Sequence, residues 1–108
     1  QRYTDALEAQ LTQRWAAARL VVFGHLGDGN LHISVSVGSA EVEVRREVEA
    51  MVYQPLAALG GSVSAEHGIG LEKRPWLSTC RSSDEIALMH TLKQAFDPLN
   101  LLNPGKVL

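Results

Sequence analysis

Four large apolar side chains, Tyr3, Leu7, Leu11 and Trp15, recur every four residues at the start of the chain, with Ala6 and Ala18 beside them. That spacing makes one apolar stripe and predicts a helix over residues 2–18. The pattern then turns to alternation. Residues 20–26 and 30–37 read as strands around Gly27-Asp28-Gly29-Asn30, and Asp-Gly is a strong hairpin signal. A second helix is predicted over 40–59. Glu41 and Glu43 complement its dipole, and Val44, Val48, Met51, Val52 and Leu59 form its buried side. Pro55 bends or ends that helix, and Gly60-Gly61 stops it. A third strand is expected at 61–66, then an irregular stretch over 67–80 with a short turn near Glu72–Leu77. The last helix runs from 83 to 96 behind a capping box of Ser82 and Glu85. Asp97-Pro98 closes it, and Asn103-Pro104-Gly105 is a turn. The order α-β-β-α-β-α is an α+β layout, a small antiparallel sheet backed by helices, with further strands expected upstream.

The alternation also places chemistry. A two-residue Asp28-Gly29 turn pairs Gly27 with Asn30, Leu26 with Leu31 and His25 with His32. Opposed residues have Cβ atoms roughly 4.5–5.5 Å apart. Two imidazoles so placed can share one metal ion, given zinc–nitrogen bonds of roughly 2.0–2.1 Å. One face then carries Val22, Leu26, Leu31, Ile33, Val35 and Val37 and belongs against the helices. The other carries Val21, Phe23, His25, His32, Ser34 and Ser36. On the third strand Ser62, Ser64 and Glu66 share a face, opposite Val63 and Ala65. If that face continues the histidine face, Glu66 points toward the pair. Two histidines and a carboxylate with positions left open is a catalytic metal pattern, and it also suits non-haem iron. The bland alternative stands beside it. The histidines also read as polar surface next to a turn, and Glu66-His67-Gly68-Ile69-Gly70 as an ordinary strand exit.

Composition narrows the field. A chain of 108 residues suits one domain. A net charge of -2 gives no reason to expect a nucleic-acid or acidic-lipid partner. No apolar run approaches the roughly 20 residues that span a bilayer, and no signal peptide is visible. The single Cys80 excludes an internal disulfide, fits a reducing compartment, and reads as an inert thiol. Trp15 and Trp76 read as packing residues, and His90 as a polar residue on the last helix. Glu72-Lys73-Arg74 reads as a solvated charge run, with Lys73 or Arg74 as a candidate contact for an anionic substrate or a cofactor phosphate. The chain starts at Gln1 within a helical pattern, so the expectation is a fragment of a larger protein.

Two segments, Gly24-His25-Leu26-Gly27-Asp28-Gly29-Asn30-Leu31-His32 and Ser64-Ala65-Glu66-His67-Gly68-Ile69-Gly70, resemble the C-terminal domain of FAD-linked oxidases. That family includes D-lactate dehydrogenase, the glycolate oxidase flavin subunit and D-2-hydroxyglutarate dehydrogenase. The ending from Asp97-Pro98 to Leu102-Asn103-Pro104-Gly105-Lys106 is similar too, so the resemblance covers roughly residues 20–108.

The resemblance implies a ferredoxin-like part of a flavoenzyme's substrate (cap) domain. His25, His32 and Glu66 match ligands of a divalent metal, usually zinc, and His67 matches a catalytic base. Asn30 either helps hold substrate or shapes the turn. Ser34 is the other candidate substrate-binding residue; it stands where some 2-hydroxyglutarate enzymes carry Asn, which leaves a dicarboxylate substrate open. Strict alternation puts His67 on the opposite face from Glu66, so the strand has to end or bulge there, as Gly68 permits.

The implied reaction is oxidation of a 2-hydroxy acid, of the D-lactate, glycolate or 2-hydroxyglutarate type, to the 2-oxo acid, with hydride passing to FAD. The metal lowers the pKa of the substrate hydroxyl, and His67 takes its proton. FAD is expected on an N-terminal domain that this chain lacks, as are the basic residues that grip the substrate carboxylate, so the 108 residues alone are expected to be inactive. The partners are then a small 2-hydroxy acid, the flavin-binding domain and a second copy meeting an exposed apolar surface. The expected location is cytoplasmic or peripheral to the inner membrane. Two competing readings use the same residues: a non-catalytic metal-binding assembly domain, and a stand-alone metal-dependent hydrolase or oxygenase. A chain this small offers the second little pocket wall.

Overall fold

Helix α1 (Arg2–Arg14) forms on the predicted stripe, with Leu7 and Leu11 buried and Tyr3 half-buried. It ends at Arg14, short of residue 18. The Trp15 N–H still reaches the Leu11 carbonyl at 2.8 Å, and the Ala18 N–H then bonds the Trp15 carbonyl at 2.9 Å in a tighter turn that starts the first strand. The computed structural model describes residues 2–25 and 27–108. It divides into two compact units, one reaching to Gln54 and the other beginning at Pro55.

In the first unit α1 packs on strand β1 (Arg19–His25), which pairs antiparallel with β2 (Asn30–Ser36). The register differs from the expected one. Phe23 lies opposite His32, Gly24 opposite Leu31 and His25 opposite Asn30. The connection therefore spans four residues rather than two, and the Asp28 N–H bonds the His25 carbonyl at 3.1 Å within it. The expected pairing of Leu26 with Leu31 falls on a residue outside those described. A shift of two positions preserves side-chain parity, so each described residue stays on its expected face. Leu20, Val22, Ile33 and Val35 are half-covered, whereas Leu31, expected on the covered face, is 48% exposed.

Gly24 explains how closely the strands approach at the turn. A Cβ there would sit 2.0 Å from the Asn30 carbonyl oxygen. Only glycine fits this position without moving backbone.

Helix α2 (Val42–Tyr53) packs on α1 and presents half-buried Val44, Val48, Met51 and Val52. The Tyr3 hydroxyl donates to the Val52 carbonyl at 2.7 Å, and Arg14 pairs with Glu47 at 2.8 Å. The Arg14–Glu47 pair is solvated and contributes little, so apolar contact does most of the joining.

The second unit opens with a single helical turn, α3 (Leu56–Leu59), set off from α2 by Pro55 and closed at Gly60. Leu59, expected on a buried side, is 61% exposed. The expected third strand at 61–66 does not form. Ser62 explains this: its hydroxyl donates to the Ser64 carbonyl at 3.0 Å and accepts from the Ser64 N–H at 3.4 Å. A side chain that occupies both backbone groups of its neighbour competes with a ladder for them. Val63 is nonetheless buried, as is Leu77. A 3-10 turn (Arg74–Trp76) leads into the short α4 (Leu77–Cys80).

Helix α5 (Ser83–Phe96) follows, with the predicted capping box in place. The Ser82 hydroxyl accepts from the Glu85 N–H at 3.2 Å, and the Glu85 carboxylate accepts from the Ser82 N–H at 2.7 Å. The Ser82 backbone N–H foremost, and the Ser82 side chain after it, hold the Glu85 carboxyl below its usual pKa range.

Past α5, the buried Asp97 carboxylate takes three donors: the Lys93 ammonium, the Leu101 N–H at 2.8 Å and the Leu102 N–H at 2.9 Å. Lys93 foremost lowers its pKa to about 2, against an opposing effect of burial. The architecture is α+β, with a small antiparallel sheet and helices. No described helix is long and apolar enough to cross a membrane.

Candidate functional site

Within the first unit the hairpin brings His25 and His32 together on the face that is not packed on α1. They are offset by two positions along the ladder rather than directly opposed. Diagonal neighbours across a sheet remain within reach of long aromatic side chains, and the ring centres are 5.7 Å apart at 67°. Two imidazoles sharing a tetrahedral ion at roughly 2.0–2.1 Å would have ring centres about 5 Å apart. The observed spacing is near that, so the pair fits a divalent cation without rebuilding the hairpin.

Phe23, directly opposite His32, stacks on its ring at 5.0 Å and 18°. This contact limits the rotation of His32. Alternation along β1 puts Phe23 on the histidine face without giving it a role. The signal that would have found it is the register itself, since a four-residue connection makes Phe23 the cross-strand partner of His32.

Asn30 opens β2 as a buried polar residue at 8% exposure, opposite His25. Ser34 lies one step further along the face of His32, exposed and opposite Val21. The turn residue Asp28 is exposed.

Within the second unit Glu66 and His67 sit side by side in an irregular loop rather than at the end of a strand. The anticipated conflict of alternation therefore does not arise. Nε2 of His67 lies 3.7 Å from Oε2 of Glu66, longer than a hydrogen bond. The His67 side chain is 81% exposed and that of Glu66 42%. An ion pair at that exposure constrains neither group strongly. Gly68 follows with φ +72, the left-handed region that glycine enters without strain, and this turns the chain directly after His67.

The loop is fastened by side chains. The Ser64 hydroxyl donates to the Gly68 carbonyl at 2.7 Å, and the half-buried Lys73 ammonium donates to the Ser64 hydroxyl at 3.3 Å. Arg74, the other candidate anion contact, instead donates to the Gly105 carbonyl at 3.2 Å and so braces the C-terminal turn. His90 is exposed on α5, Trp15 and Trp76 are half-buried, and Cys80 is a free thiol of intermediate burial.

Comparison with known proteins gives this arrangement a context. D-2-hydroxyglutarate dehydrogenase of Xanthomonas citri pv. viticola is 48% identical over 93 residues, which take in 82% of this chain and 20% of that protein. A putative mitochondrial D-lactate dehydrogenase of Schizosaccharomyces pombe is 44% identical over 87 residues, 81% of this chain and 16% of that protein. The mitochondrial D-2-hydroxyglutarate dehydrogenase of Danio rerio is 40% identical over 92 residues, 85% of this chain and 17% of that protein. The chain thus spans a fifth or less of the length of these relatives. The family described as FAD linked oxidases, C-terminal domain, matches residues 2–107, so the match takes in the hairpin, the Glu66–His67 loop and the C-terminal turn together. The chain belongs to that family, the C-terminal domain of FAD linked oxidases.

Proposed function

We propose that this chain supplies the metal- and substrate-binding part of an FAD-dependent dehydrogenase that oxidises a 2-hydroxy acid to the 2-oxo acid. His25, His32 and Glu66 are assigned as ligands of one divalent cation, with zinc first among the candidates. His67 is the base that takes the proton of the substrate hydroxyl. Asn30 and Ser34 border the substrate from the histidine face of β2. When bound, the cation would make that hydroxyl more acidic and the flavin, held outside this chain, would accept a hydride. The observation that carries the reading is the histidine pair, whose ring spacing of 5.7 Å suits a shared ion in a chain of this family.

The likeness to D-2-hydroxyglutarate and D-lactate dehydrogenases supports a small D-2-hydroxy acid as substrate. The flavin-binding domain of the same protein is the proposed partner. The large apolar side chains left in solvent on α5 and beyond it, Leu88, Leu92, Phe96, Leu99 and Leu101, support a surface that another domain or a second copy covers. The proposed location is cytoplasmic or at the face of an inner membrane.

The deciding experiment is elemental mass spectrometry of the purified protein beside its His25→Ala variant. About one divalent ion per chain, lost in the variant, is the expected result. Full metal content in the variant would remove His25 from the ligand set and overturn the assignment.

A further inference from the structure

The segment that carries Glu66 and His67 has no ladder or helix to fix it, yet it is not loose. Ser64 and Gly68 bracket it, and the Ser64 hydroxyl closes it by donating to the Gly68 carbonyl at 2.7 Å. The enclosed residues are Ala65, Glu66 and His67. Lys73 then ties the closed segment to the turn that follows by two separate bonds. Its N–H reaches the Ile69 carbonyl at 3.2 Å, and its ammonium reaches the Ser64 hydroxyl at 3.3 Å.

A hydroxyl that accepts from an ammonium is a stronger donor to its own acceptor, because hydrogen bonds in a chain polarise one another. The Lys73 ammonium has no carboxylate within ion-pair reach among the described residues, so Ser64 is its one side-chain partner. A half-buried cation spent on a serine hydroxyl is an unusual use of a lysine. It is explained if the serine must hold one orientation.

We propose that Ser64 and Lys73 are positioning residues, a two-member clamp that sets the direction of the Glu66 carboxylate and the His67 imidazole by fixing the backbone between residues 64 and 68. Neither touches substrate or metal. They act as outer partners of a metal site do, by removing the freedom of the group that binds. The inference rests on the proposed roles of Glu66 and His67.

The test is zinc affinity of the intact, metal-stripped protein, measured by competition with a chromophoric chelator. Ser64→Ala and Lys73→Met are each expected to weaken zinc binding by about tenfold, in line with outer partners at other metal sites. Ser64→Thr keeps the hydroxyl and Lys73→Arg keeps a cationic donor, so both should restore most of the affinity. Because the two residues act as one clamp, the double variant should lose no more than either single variant. The thermal midpoint of each variant separates a loosened loop from a lost fold. If Ser64→Ala fails to fold, Lys73→Met carries the test, since it leaves the bond from Ser64 to Gly68 in place.

Glu66→Gln keeps the two readings apart. Affinity that falls in Glu66→Gln but is unchanged in Ser64→Ala and Lys73→Met overturns the clamp and leaves the ligand assignment standing. Affinity that is unchanged in Glu66→Gln overturns the ligand assignment on which the clamp rests.

Discussion

The hairpin and the loop at 62–70 carry the two parts of one proposed site, yet they are held by different means. His25 and His32 sit on a backbone ladder, where position follows from register and each strand is fixed by its neighbour. Glu66 and His67 sit where no ladder forms, and their segment is held by a serine hydroxyl and a lysine ammonium. A ladder is insensitive to most side-chain changes and brittle toward any change that moves backbone. A side-chain clamp is the reverse. Deleting one hydroxyl loosens it, while the fold around it has little reason to respond.

Three substitutions or conditions sharpen that contrast. The largest effect is expected from Gly24→Ala, whose new Cβ would lie 2.0 Å from the Asn30 carbonyl oxygen. Neither strand can yield without breaking the ladder, so a loss of at least about 3 kcal/mol is expected, read from the midpoint of chemical denaturation. A loss under about 1 kcal/mol would show that the hairpin is more pliable than its register implies. Gly68→Ala is the matching change in the loop. Its Cβ meets nothing within 4 Å, and the penalty is only that of φ +72 for a residue with a side chain. That is about 1 kcal/mol, to be read by the same titration.

The smallest effect concerns Asp97, another anchor built from a side chain. Its carboxyl is depressed from 3.8 to about 2 in the folded chain, so the stability it adds is present above pH 3.8 and disappears as pH falls from there through 2. The difference in thermal midpoint between the natural protein and Asp97→Asn should be constant at neutral pH and shrink across that window. A difference that persists at pH 2 would mean that the carboxylate's charge contributes nothing.

Much of this was readable from residue order, and what was missed has specific causes. The stripe through Leu7 and Leu11, the break at Pro55 and the capping box of Ser82 and Glu85 are local patterns, and each formed as expected. The register was missed because Asp28-Gly29 signals a two-residue turn, while the chain spends four residues on the connection. The error was two positions, an even number, so the histidines kept a common face and came together along a diagonal. The third strand expected at 61–66 does not form, although Ser62 and Ser64 fit the polar half of an alternation. Hydroxyls that bond their own local backbone are invisible to a pattern of apolar and polar positions. For the same reason Lys73 read as part of a solvated run. Nothing in its neighbours reveals a partner nine residues earlier.

Gly24 also bears on how this sequence can drift. A clash with a side chain can be relieved by a second mutation that trims the side chain. The obstacle at position 24 is the carbonyl oxygen of Asn30, which every amino acid carries, so no compensating substitution at position 30 exists. Position 24 is therefore closed to single-step and two-step change alike. At Gly68 the only barrier is a backbone angle, and an asparagine could occupy it at small cost. Mutational paths through this domain should accordingly run through the loop and go around the hairpin.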